Sequence, residues 1–76
     1  MDNIEKTRRD IINTYVEFRK QRGITQQQLA DGSGLKRPNI SRFESGESNP
    51  TLDMLIRLAD ELDLQIEIVA KGGENE

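Results

Sequence analysis

Arg37, Pro38, Asn39, Ser41 and Arg42 lie in one short run of side chains of the kind that read nucleic acid. A guanidinium can fork onto guanine O6 and N7, a carboxamide can pair with adenine, and small side chains can pack on a thymine methyl. Bond-breaking chemistry has far less to work with. The 76 residues include no Cys and no His, which removes thiol nucleophiles, imidazole acid–base groups, disulfides and the usual zinc ligands together. Neither a DxDxDG cation loop nor a GxxxxGK[ST] phosphate loop occurs. Asp60, Glu61 and Asp63 read as a solvated helix end rather than a metal site. These residues predict a binding protein, not an enzyme, with no cofactor and no metal.

Charge supports a polyanion as the bound partner. The chain carries a formal net charge of −3, but its parts differ sharply. Residues 19–42 hold Arg19, Lys20, Arg22, Lys36, Arg37 and Arg42 against Asp31 alone, a net of +5. Residues 43–76 hold nine acids against Arg57 and Lys71, a net of −7. A basic middle beside an acidic end is the asymmetry of a nucleic-acid-binding face, although a solvated basic helix surface would give the same count. No run of 18 apolar residues occurs and charges extend through Arg9, so neither a membrane span nor a signal peptide is expected. A soluble cytoplasmic protein with no membrane partner follows.

The elements that must position the run are punctuated by Gly23, Gly32–Gly34, Gly46–Pro50 and Gly72–Gly73. Ile4, Ile11, Ile12, Tyr15 and Phe18 recur at helical steps, predicting an amphipathic helix over about 3–21. Thr25 followed by Gln28 is a capping-box pattern and opens a helix at about 26–31. A third helix spans 37–45, with Pro38 tolerated in its first turn. Thr51 can cap a fourth, whose Leu52, Leu55, Leu58, Ala59 and Leu62 face inward. Met54 and Ile56 lie outside that stripe, either loosely buried or in a subunit interface. Leu64, Ile66 and Ile68 then alternate with polar residues at strand spacing. The organisation expected is a domain over 1–63, a strand over 64–70 and a flexible tail over 71–76.

Two short helices joined by a tight Gly-containing turn, the second one basic, form a helix-turn-helix. Leu29, Leu35, Ile40 and Phe43 face one another across it, Ala30 occupies the close approach, and Gly34 supplies a positive φ in the turn. Ser33 departs from the apolar residue usual at its position. Through FRKQRGITQQQLADGSGLKRPNISRFESG and NPTLDMLIRLADEL, residues 11–64 resemble the lambda-repressor-like (XRE-type) helix-turn-helix family. The resemblance implies an all-α, compact four-helix domain that inserts its third helix into the major groove of double-stranded DNA. At 100° per residue, Pro38, Ser41, Arg42 and Ser45 point away from the Ile40–Phe43 face, and Arg37 lies on its flank. Arg37, Pro38, Asn39, Ser41 and Arg42 are the expected base readers, although the angle of Asn39 is closer to the core side.

By the same resemblance Gln26 stands at a position that touches phosphate. Lys36 replaces a capping Ser or Thr and adds a phosphate contact, and Ser45 is a further phosphate candidate. Arg19 and Glu44 are implied to be an ion pair locking the first helix to the third. Arg8 and Arg9 could touch DNA, but such pairs more often read as surface charges. The function expected is a sequence-specific transcriptional regulator, a repressor of bacterial or phage origin acting by occupancy of a palindromic operator. A lone strand needs a partner, so Leu64, Ile66 and Ile68 are expected at a homodimer interface. The alternative is an antitoxin that binds both its operator and a toxin protein, its acidic C-terminal third facing a basic toxin.

Overall fold

The computed structural model describes residues 2–72, and within them four helices follow one another: α1 (Asp2–Gln21), α2 (Gln26–Ser33), α3 (Arg37–Ser45) and α4 (Leu52–Glu61). All four send side chains into one core. Ile12 and Tyr15 come from α1, Leu29 and Ala30 from α2, Ile40 and Phe43 from α3, and Leu58 and Ala59 from α4, with Leu62 just beyond it. Phe43, Leu29, Ile40, Leu58 and Leu62 are the largest fully buried side chains, and each contributes about 1.5–3 kcal/mol by leaving water. Tyr15 meets Phe43 edge to face, with centroids 5.5 Å apart and planes at 86°. Its hydroxyl donates to the Leu55 carbonyl at 2.9 Å, tying α1 to α4. Burial also raises the phenol pKa above its ordinary value.

Local chemistry sets the helix ends. Thr25 Oγ1 accepts from the Gln28 amide at 3.0 Å while Gln28 Oε1 accepts from the Thr25 amide at 2.9 Å, the reciprocal capping box. Thr51 Oγ1 accepts from the Met54 amide at 3.1 Å and caps α4 alone. Gly34 ends α2 at φ 78°, a conformation that costs little only without a Cβ. Two residues after α4, Asp63 takes φ 61°, and the Leu64 amide reaches back to the Ala59 carbonyl at 2.7 Å. This closure turns Leu64 onto the core, against which it packs half-buried.

Three sequence expectations need correction. Helix α2 runs to Ser33 rather than stopping near Asp31, because the Gly34 amide still reaches the Ala30 carbonyl at 3.0 Å and carries the helix two residues further. Leu52 was expected inward but is 65% exposed, since it is the first residue of α4 and projects past the edge of the core. Ile4 and Ile11 share the periodic stripe of α1 yet are exposed, Ile11 on the open groove between α1 and α4. Residues 64–70, expected to pair with a second copy, form no regular element in the single chain, which offers them no ladder to join. Ile68 there is 97% exposed. Met54 is half-buried against the core and Ile56 is exposed. Of the expected tail, residues 73–76 lie outside the described residues.

Candidate nucleic-acid interface

Helix α3 has two unlike faces. Ile40 and Phe43 are buried, while Arg37, Pro38, Asn39, Ser41, Arg42 and Ser45 are all exposed. The side chains expected to read bases therefore share one solvent-facing surface of one helix. Pro38 sits in the first turn, where a missing amide hydrogen is tolerated. Lys36 occupies the cap position with no side-chain hydrogen bond, so its ammonium is exposed beside the helix start. Arg42 Nη2 donates to Asn39 Oδ1 at 2.6 Å, and Ser45 Oγ donates to the Arg42 carbonyl at 3.1 Å.

The electrostatics of this face depend on where Glu44 goes. It is the one acid in α3, and it turns inward to Arg19. Arg19 Nε donates to Glu44 Oε2 at 2.6 Å and Nη2 to Oε1 at 2.9 Å, a two-pronged ion pair between α1 and α3. Arg19 Nη1 also donates to the Ile24 carbonyl at 2.8 Å. With Glu44 neutralised, Lys36, Arg37 and Arg42 stand without a salt-bridge partner among the described residues. A cationic face with its own acid withdrawn raises the local concentration of a polyanion.

Gln26 is half-buried at the start of α2, and its Nε2 donates to Glu44 Oε1 at 2.9 Å. The residue expected at a phosphate thus also joins α2 to the ion pair, a connection that no sequence spacing announced. Ser33, the expected departure, is buried, and its hydroxyl donates to the Ala30 carbonyl at 3.5 Å and accepts from the Leu35 amide at 3.3 Å. A polar group in an apolar position is tolerated because both of its capacities are used. Arg57 Nη1 adds a contact from α4 to the Ser33 carbonyl at 3.5 Å. Arg8 lies 3.9 Å from Glu5 as an exposed pair, and Arg22 stacks 4.8 Å over the Phe18 ring.

Leu64, Ile66 and Ile68 do not lie on this face. Leu64 and Ile66 border an open apolar groove of about 490 Å³ that runs between α1 and α4 past Ile11, Phe18 and Leu52. No helix among the described residues is long and apolar enough to cross a membrane.

The family model described as helix-turn-helix matches residues 17–69. An HTH-type transcriptional regulator of Haemophilus influenzae is 41% identical over 59 residues, covering 78% of this chain and 60% of that protein. The cryptic phage CTXphi transcriptional repressor RstR of Vibrio cholerae is 39% identical, over 64% of this chain and 44% of its own. Antitoxin HigA1 of Mycobacterium tuberculosis is 30% identical over 91% of this chain and 46% of its own. The chain thus spans about half the length of these curated relatives. Among solved structures, a HipB–O2 20mer complex superposes with a TM-score of 0.77 at 30% identity, covering 83% of this chain and 88% of that one.

Proposed function

The chain belongs to the helix-turn-helix family, and from that premise we propose that it is a sequence-specific DNA-binding transcriptional regulator, a repressor that occupies a palindromic operator as a homodimer. One observation carries the reading. Helix α3 exposes Arg37 and Arg42 on a single face while its only acid is held inward by Arg19. In the proposed complex that face enters the major groove. Arg37 and Arg42 read guanine edges, Pro38 and Ser41 fit beside thymine methyls, and Lys36, Ser45 and Gln26 meet the phosphate backbone. Relatives named as a transcriptional regulator and a transcriptional repressor support the regulatory role.

The homodimer rests on the other side of the molecule. Beyond Leu64, which packs on the core, the segment to Val69 forms no regular element and runs beside the exposed Ile11, Leu52 and Ile56. Antiparallel pairing with the same segment of a second copy satisfies its backbone and covers those side chains under twofold symmetry. Two α3 helices then face major-groove half-sites about 34–36 Å apart.

Selection from a pool of random duplexes with the purified, folded protein tests the function. Recovery of an inverted repeat is expected, and recovery of no preferred sequence would refute it. A second reading, an antitoxin that also holds a toxin protein, is favoured by the 91% of this chain that aligns with HigA1. A toxin-like reading frame beside the gene is its discriminating sign.

A further inference from the structure

We propose that Asn39 is a positioning residue, which holds the Arg42 guanidinium in its reading geometry rather than contacting a base of its own. The inference rests on the reading of α3 as the DNA-reading helix. Residues three apart on a helix lie side by side, and here Arg42 Nη2 donates to Asn39 Oδ1 at 2.6 Å. The backbone under Arg42 is fixed as well, since its carbonyl accepts from the Ser45 hydroxyl at 3.1 Å and from the Glu47 amide at 2.9 Å.

An exposed arginine without a partner samples many rotamers and must be ordered when it binds. The Asn39 bond does part of that ordering beforehand. A guanidinium offers five N–H groups, so one bond to Asn39 leaves a two-pronged edge for guanine O6 and N7. Asn39 is correspondingly compromised as a reader. Pairing with adenine uses the carboxamide oxygen to accept from N6, and that oxygen is the atom engaged by Arg42. On the helical wheel Asn39 also lies closer to the buried Ile40–Phe43 stripe than Pro38, Ser41, Arg42 or Ser45 does.

The test compares sequence preferences selected from random duplexes by the wild-type chain, Asn39→Ala, Arg42→Ala and the double variant. Asn39→Ala is expected to weaken preference at the base position that Arg42→Ala relaxes, by between about two- and tenfold. The double variant should be no worse than Arg42→Ala alone, since the residues act as one unit. Asn39→Asp keeps the acceptor oxygen, so it should retain preference at that position while binding all DNA more weakly. Unchanged melting temperatures are expected for all of them, because both side chains are exposed. The positioning role is overturned if Asn39→Ala alters a different base position, if its loss multiplies with that of Arg42→Ala, or if Asn39→Asp loses the shared preference. A wild type that selects no sequence overturns the DNA-reading proposal itself, and the positioning role with it.

Discussion

On the α2–α3 side, polar groups that enter the interior are matched within the chain. Glu44 has Arg19 and Gln26, and Ser33 has Ala30 and Leu35. Across the molecule, α1, α4 and the segment after Asp63 leave Ile4, Ile11, Leu52, Ile56 and Ile66 in solvent, and residues 64–70 form no regular element. The first surface is finished by one chain, and what it presents outward is charge. The second presents apolar side chains and unpaired backbone, the signature of a surface meant to be covered. Helix α3 is held by bonds within the chain, and on our proposal a second copy covers the opposite surface.

Four substitutions and one truncation probe this contrast. Glu44→Ala strikes the finished side. It strands a largely buried Arg19 and releases Gln26, and losing one partner of such a pair costs on the order of 3–5 kcal/mol. Thermal or denaturant unfolding should show most of the domain's stability gone. A variant that melted like wild type yet bound DNA poorly would reassign Glu44 to the interface. Truncation after Leu64, which keeps the core contact and the α4 closure, strikes the unfinished side. Sedimentation should then report a helical monomer, with full-operator affinity reduced by about a hundredfold or more. A truncated chain that remained a tight dimer would place the interface on the helices.

Smaller effects separate the roles within each side. Arg42→Ala should cost about 1–3 kcal/mol of binding and relax one base position in each half-site, as read by competition with single-base operator variants. Tyr15→Phe removes the α1–α4 hydrogen bond to Leu55 and should lower stability by about 0.5–1.5 kcal/mol. The same residue has an alkaline signature. Its phenol pKa is raised in the folded state by burial, so the unfolded chain loses that proton first. The resulting stability is full below about pH 10 and is lost as pH rises through the folded pKa. Denaturant midpoints should therefore show a decrement above pH 10 that Tyr15→Phe lacks. Lys36→Ala should have the mildest effect, a uniform weakening on all sequences with the salt slope reduced by about one unit per site.

Helix placement was legible because local rules decide it. Thr25 with Gln28, Thr51 before α4 and Gly34 after α2 each act through atoms a few residues away. The outward residues of α3 were legible for a related reason, since a nine-residue helix with Ile40 and Phe43 buried leaves the rest little choice of direction. The Arg19–Glu44 contact came from family resemblance, and the structure supplies its geometry. Gln26 donating to Glu44 was illegible, because that bond depends on how α2 packs against α3. Ile4, Ile11 and Leu52 misled for a different reason. Periodicity marks an apolar stripe, but it does not show whether another element of the chain lies over it.

The central claim is that the outer face of α3 lies in the major groove, and the absence of cysteine offers a direct way to measure it. A DNA-cleaving chelate attached through Ser41→Cys can be mapped on the duplex recovered by selection. Cleavage is expected inside both half-sites, in two clusters about 34–36 Å apart along the helix axis. The same chelate attached through Asp60→Cys on α4 should cut weakly or not at all. Diffuse cleavage from position 41, or equal cleavage from both positions, would contradict the claim.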